Sequence, residues 1–291
     1  MRVTFLLPHP ALRPHVARYI ALDAHCPSPL EQRVAPSGGP VLVVLLEGRQ
    51  QAGCLHGPLS PMPPAYLLGH LDRAALNVLA GRIRSFMIQF TPTGVYSLLR
   101  LSVRELTDKC AGLGTVAGPD LQEWAATLAE APDDAARAVA ADGVLLRRLL
   151  ATPRRAPGRR ALAAATAACG LIAEAEGCIR VEALAAQLYT TPRTLLRHFE
   201  EAVGIPVRSA TRISRFLATR RYLERHPRAP WSEVVFRFGY SDQSHLIRDF
   251  QRYCGEPPSV FRARQDEARL LTLVGREALP EPGSYRGEPE A

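Results

Sequence analysis

The chain has 291 residues, about twice a typical domain length, so two separate cores are expected rather than one small stapled fold. Its longest run of large apolar residues, 41–46, is six residues, whereas a membrane-spanning helix needs roughly 18 to 20; with no signal-peptide core at the start, the sequence reads as cytoplasmic with no membrane partner. Six cysteines (Cys26, Cys54, Cys110, Cys169, Cys178, Cys254) form no C-x-x-C pair, which argues against a disulfide framework or a four-thiolate zinc site. Net charge is +8 and is carried almost wholly by arginine, Lys109 being the single lysine. Residues 1–150 carry a net +2, residues 151–264 a net +9 and residues 265–291 a net −3. That asymmetry is the one expected when one part of a chain meets a polyanion and the other part does not.

In chain order, the first 110 residues are punctuated by Pro and Gly and hold short β-like runs at 41–46, 65–68 and 84–90. In the last of these Phe86, Ile88 and Phe90 alternate with Ser85, Met87 and Gln89. After Thr91-Pro92-Thr93-Gly94 the period changes, and Ser102-Val103-Arg104-Glu105 has the spacing of a capping box at a helix start. Helices are expected at 119–130, opened by Pro119, and at 133–150, with acidic residues first and Arg147-Arg148 near the end, matching the helix dipole. Residues 151–157 hold two prolines and two arginines and read as a linker. Beyond it every element reads helical, beginning with an Ala-rich helix at 160–176 stopped by Gly177. The end, 265–291, reads as a partly disordered tail.

The basic segment repeats itself. At an offset of 51 residues Leu195-Leu196-Arg197-His198-Phe199 superimposes on Leu246-Ile247-Arg248-Asp249-Phe250. Each copy places a Leu and a Phe four residues apart on an inward stripe, with Arg193 and Arg197, or Ser244 and Arg248, on the opposite face. Each is preceded by a turn and a short helix, at 181–188 and 231–238, which is a helix-turn-helix layout. Thr191, followed by Pro192, can cap the first second-helix, and Ser241 or Asp242 the other.

These residues resemble the DNA-binding domain of AraC/XylS-type transcriptional regulators. The likeness runs through Val181-Glu182-Ala183-Leu184-Ala185, the run from Thr191 to Phe199, Gly239-Tyr240-Ser241-Asp242-Gln243-Ser244-His245 and Gly255-Glu256-Pro257-Pro258-Ser259-Val260-Phe261. The resemblance implies two helix-turn-helix units joined by a long helix, here about 206–226, entering successive major-groove segments. Two positions depart from the family pattern: Tyr189 stands where a turn glycine is usual, and Val235 where a small alanine is usual. The N-terminal half, through Pro36-Ser37-Gly38-Gly39-Pro40, His56-Gly57-Pro58, Phe90-Thr91-Pro92-Thr93-Gly94 and Glu105-Leu106-Thr107-Asp108, resembles the β-barrel sensor-type domain that often precedes this DNA-binding domain.

The expected architecture is therefore α+β in two domains. A β-rich, cupin-like effector or oligomerisation domain with trailing helices occupies 1–150, and an all-α domain with two helix-turn-helix units occupies 158–264. The expected function is sequence-specific regulation of transcription, controlled by a small molecule or signal acting on the N-terminal domain. Base reading is expected from Arg193, Thr194, Arg197, Gln243, Ser244 and Arg248, since arginine pairs with guanine and glutamine with adenine in the major groove. For any one of them a phosphate contact is an equal alternative. Backbone contacts are expected from Thr191, Ser241, His245 and Arg212, with Arg208, Arg215, Arg220 and Arg221 on the helix surface. The implied partners are double-stranded promoter DNA, a small-molecule effector, RNA polymerase for an activator, and a second copy of the chain. Cys54, His56 and His70, or His25 and Cys26, are weighed as metal ligands and disfavoured, because no ligand pair has a motif's spacing. No cofactor, no catalytic residue and no enzymatic activity are expected; the alternatives are a carrier or enzyme based on the cupin-like half, and a DNA-repair or architectural protein.

Overall fold

The structure is a computed structural model that describes residues 1–151 and 158–264. All but the first residue of the expected linker, and the whole of the expected tail, lie outside the described residues. The N-terminal half forms one antiparallel sheet of seven strands: β1 (Arg2–Leu6), β2 (Val16–Val34), β3 (Val41–Cys54), β4 (Leu59–Pro61), β5 (Ala65–Leu68), β6 (Ala75–Phe90) and β7 (Cys110–Gly112). The order is β1-β2-β6-β3-β5-β7, with β4 hairpinned on β3.

Side chains alternate between two apolar faces, which explains why 41–46 reads as an unbroken apolar run. Tyr19, Ala21, Leu42, Val44, Phe86 and Ile88 point to one face, where helices cover them. Ile20, Leu22, Val43, Tyr66, Ile83 and Met87 point to the other and form a core of their own. The sequence runs mark only one end of each of two long strands, 41–46 the start of β3 and 84–90 the end of β6, and none marks β2. Register shifts between Cys26 and Leu30, and on either side of Glu47, bend β2 and β3, with Gly48 at φ 86° in the second bend.

Four helices follow: α1 (Gly94–Leu99), α2 (Leu113–Ala117), α3 (Pro119–Glu130) and α4 (Asp134–Leu150). Pro119 opens α3 as expected, and the Asp133 carboxylate accepts from the Ala136 N–H at 2.8 Å to cap α4. Buried Tyr19 donates its hydroxyl to Asp142 Oδ1 at 2.7 Å, tying β2 to α4. The capping box expected at Ser102–Glu105 does not form. Val103 is buried and holds the chain in a three-residue turn, Arg104–Leu106, which leaves Glu105 no helical position from which to reach back.

The C-terminal half is helical throughout its described residues: α5 (Arg159–Glu174), α6 (Val181–Gln187), α7 (Pro192–Val203), α8 (Val207–Arg225), α9 (Trp231–Arg237), α10 (Gln243–Cys254) and α11 (Pro258–Arg264). Its core gathers Leu184, Leu195, Phe199, Phe216, Leu223, Val234, Phe238, Leu246 and Phe250, and includes Ala35 from the N-terminal half. The two-domain α+β expectation is borne out, and the boundaries expected for the helices from residue 119 onward agree with those observed to within two residues.

The halves meet along a polar seam. Tyr96 donates to Glu201 Oε1 at 2.9 Å, Thr93 and Thr166 hydroxyls lie 3.1 Å apart, and Arg33 donates to Glu256 Oε2 at 2.8 Å. His70, 4% exposed, sits inside the seam with hydrogen bonds to the backbone of Pro92 and Val203. Burial outweighs those bonds and pushes its imidazole from the ordinary 6.5 down to about 4. The folded state therefore keeps His70 neutral where the unfolded chain takes up a proton, so stability is lost as pH falls from 6.5 toward 4. At about 1.4 kcal/mol per pH unit the loss approaches roughly 3 kcal/mol. Urea unfolding from pH 7 to pH 4 should show this decline, and His70→Gln should flatten it by that amount.

Candidate nucleic-acid interface

The two helix-turn-helix units agree beyond the matched core residues. In each, the turn between the helices is made by one residue in the left-handed region, Tyr189 at φ 50° and Gly239 at φ 60°. The next helix is capped by a short polar side chain: Thr191 Oγ1 accepts from the Thr194 N–H at 3.2 Å, and Asp242 Oδ1 from the His245 N–H at 2.7 Å. Each recognition helix then ends on a left-handed glycine, Gly204 at φ 85° and Gly255 at φ 72°. Those glycines and their following residues, Gly204-Ile205-Pro206 and Gly255-Glu256-Pro257, keep the 51-residue offset, so the repeat reaches into the starts of α8 and α11.

Burial separates the two faces of each recognition helix. Leu195, Phe199, Leu246 and Phe250 are fully buried. Arg193 and Arg197 on α7, and Gln243, Ser244 and Arg248 on α10, are exposed together near the N-terminal ends. Thr191, Ser241 and Asp242 are also exposed, so capping groups and arginines share one surface. Thr194 is half-buried and its hydroxyl accepts from that of Thr191 at 3.0 Å. Arg197 Nη2 lies 3.1 Å from His198 Nε2. The Asp242 carboxyl is held below its usual range by the His245 N–H and the Ser241 hydroxyl, so the α10 cap stays ionised near neutral pH.

Two expected backbone-contacting residues are engaged within the protein instead. Arg212 Nη2 donates to Asp249 Oδ1 at 2.6 Å, and Asp249 is fully buried. A buried carboxylate demands a paired cation, so Arg212, itself partly exposed, ties α10 to α8. His245 accepts the same logic: Nδ1 lies 3.3 Å from Ser241 Oγ, Nε2 lies 3.9 Å from Asp249 Oδ2, and its ring packs edge-on against Tyr240. The α8 arginines also depart from a surface row. Arg208 is exposed, but Arg220 is 4% exposed with Nε 3.3 Å from Glu224, and Arg215 reaches the Gly177 and Gly239 carbonyls at 3.4 Å. Helix α8 is a spine packed on several sides, and a position count along one helix does not reveal that.

Among the described residues, no group of three or more His, Cys, Asp or Glu is placed to hold a metal ion. Cys54 is exposed and Cys26 and His70 are buried. Cys54 and His56 instead line a cavity of ≈ 440 Å³ with Arg73, Ala74, Gln251 and Arg252, between the β3–β4 hairpin and the end of α10. No helix among the described residues is long and apolar enough to cross a membrane.

Residues 184–264 match the family model described as "Helix-turn-helix domain", and residues 4–112 match "Domain of unknown function (DUF6597)". The C-terminal resemblance is borne out: the chain carries an AraC-type helix-turn-helix domain behind a separate N-terminal domain. None of the curated proteins compared with the chain matches it. Among solved structures, an apo variant of ToxT from Vibrio cholerae is 12% identical over 84% of this chain and 97% of its own, with a TM-score of 0.45. Wild-type ToxT with bound unsaturated fatty acid is 13% identical over 89% and 97%, with a TM-score of 0.42. The AraC-like transcriptional activator CuxR is 13% identical over 74% and 86%, with a TM-score of 0.27.

Tyr189 tests the local reading. Its side chain is 98% exposed while its backbone is left-handed, a conformation that costs a side-chain-bearing residue about 1 kcal/mol or more. Tyr189→Gly should therefore raise the thermal midpoint despite the loss of a large side chain, and Tyr189→Val should lower it.

Proposed function

We propose that this protein is a transcription regulator that binds double-stranded promoter DNA in a sequence-specific manner and is controlled through its N-terminal domain. The observation that carries this reading is the duplicated unit. Two recognition helices, each capped by Thr191 or Asp242 and seated on a buried Leu and Phe, present exposed polar ends in a segment of net charge +9. A lone helix hairpin is common in structural bundles, but a repeat that preserves cap, stripe and reading face is what two-site groove recognition needs.

In this mechanism α7 and α10 enter major-groove segments about one helical turn, ~34 Å, apart on one side of the duplex. Arg193, Arg197 and Arg248 supply forked donors matched to guanine O6 and N7, and Gln243 an amide matched to adenine, with Thr194 and Ser244 completing the reading set. Thr191 and Ser241, beside the helix N-termini, lie where phosphate oxygens would meet backbone N–H groups. His245 and Arg212 hold α10 in place for this contact. Chemistry is not required of any side chain, and the protein acts by occupancy, without a cofactor, in the cytoplasm. In this reading a small-molecule effector acts on the N-terminal domain, and the cavity against Gln251 and Arg252 is a candidate position for it. RNA polymerase and a second copy of the chain are the further partners of this reading.

Selection of duplexes from a random pool by the full chain should return a motif with two informative patches about 10 base pairs apart. On that motif Arg248→Ala should lose about 1 to 3 kcal/mol, with scrambled DNA little affected, because a bidentate base contact is removed. Arg208→Ala, at an exposed position of α8, should weaken both duplexes alike. No enriched motif, or equal losses on both duplexes for Arg248→Ala, would overturn the base-reading assignment.

A further inference from the structure

The C-terminal ends of both recognition helices are held by the N-terminal domain. At the end of α7, a side chain added to Gly204 would meet Arg104 N and Val103 Cγ2 at 2.9 Å. Glu200 lies 3.8 Å from Arg104, Glu201 accepts from Tyr96, and Val203 bonds to His70. At the end of α10, a side chain on Gly255 would meet Leu55 Cδ2 at 2.5 Å. The Ala74 N–H donates to the Arg252 carbonyl at 2.7 Å, Arg252 donates through Nε to the Asp72 carbonyl at 2.8 Å and through Nη2 to the Asp72 carboxylate, and Arg33 pairs with Glu256. Gly204 and Gly255 are equivalent positions of the repeat. One domain therefore grips the same point on both units.

The grip at α10 is built rather than incidental. Asp72 is itself positioned by its N–H donating to Asp108 Oδ1 at 2.7 Å, and Asp108 pairs with Arg73 at 3.1 Å. Asp108 stands at φ 57° and donates its own N–H to the His70 carbonyl at 2.9 Å, so the same turn reaches the α7 end of the seam. Arg212, which holds Asp249 in the middle of α10, also feels the Asp72 carboxylate. Charge thus connects the N-terminal domain to the body of the recognition helix.

We propose that the N-terminal domain is a brace across the two helix-turn-helix units, and that Asp72 and Arg252 are its positioning residues: they set the spacing at which the two reading ends meet DNA. This rests on the DNA-binding reading above, and deepens it by naming the contact through which the N-terminal domain acts on recognition. Helix α8 runs on from the α7 end at Gly204 and packs along α10 through Phe216 and Arg212. A second tether, running through the N-terminal domain from the Gly204 end of α7 to the Gly255 end of α10, adds to that packing and fixes the separation, and its release lets the units shift.

The test uses the full chain and the variants Asp72→Asn, Arg252→Asp and the charge swap D72R/R252D. Amide hydrogen exchange needs no DNA: Asp72→Asn and Arg252→Asp should speed exchange at Ala74 and in the last turn of α10 by tenfold or more, with α5 unchanged, and the swap should restore slow exchange. On the selected duplex, inserting two base pairs between the patches should cost the wild-type chain tenfold or more in affinity. The same insertion should cost Asp72→Asn less than threefold, and the swap should regain the penalty. Unchanged exchange in the single variants overturns the brace. An unchanged insertion penalty beside altered exchange overturns its role in spacing. Should the wild-type chain select no duplex, the DNA reading falls, and the exchange data alone decide whether the contact clamps α10.

Discussion

Both recognition helices depend on one apolar spine. Phe216, in the middle of α8 and fully buried, packs against the Phe250 ring at 5.2 Å and the Tyr253 ring at 5.1 Å, while Leu195 and Phe199 of α7 join the same core. Burying one such side chain contributes on the order of 2 to 3 kcal/mol, enough to decide which way each helix faces. Because Leu and Phe take the inward stripe, the helix period leaves Arg193 and Arg197, and Ser244 and Arg248, on the outward one. The polar face is thus a consequence of the core. A helix rotated by one residue would expose its phenylalanine and put His198 or Glu200 in the place of Phe199, and Asp249 or Gln251 in the place of Phe250.

That packing settles rotation but leaves slide and tilt, which polar contacts fix. Thr191 and Asp242 close the helix starts, and the left-handed glycines at 204 and 255 close the ends where the N-terminal domain approaches, with the Val103–Arg104 backbone against Gly204 and the Leu55 side chain against Gly255. Between them the buried Asp249 is locked by Arg212. The equivalent position on α7 is His198, so the two units share a scaffold but differ in how their middle is held. Both helices meet the seam through charge, α10 at Arg252 with Glu256 just beyond its end, and α7 at Glu200 and Glu201.

The helical half was largely legible in the sequence because its signals are local. Caps, turn residues and a four-residue Leu–Phe spacing all act within one or two turns, and the family resemblance marked Tyr189 as a residue standing where a turn glycine is usual. The sheet was legible only in part. Strands β2 and β6 pair over most of their length, yet their middles carry the polar stretches at His25–Ser28 and Arg82–Arg84, which interrupt the apolar pattern. What the sequence concealed most was long-range polarity. Arg212 reads as a surface cation on an arginine-rich helix, and only the fold brings Asp249, 37 residues away, against it. The same holds for Asp72 and Arg252, separated by 180 residues. The expected capping box at Ser102 failed for a related reason: a buried Val103, packed toward Gly204, overrode a local pattern.

The central claim is that two equivalent helices read DNA together from one side. Hydroxyl-radical footprinting of the full chain on a bound duplex tests it most directly. The account predicts two protected patches on the same face of the double helix, with centres about 10 base pairs apart. One protected patch, or two on opposite faces, would contradict it.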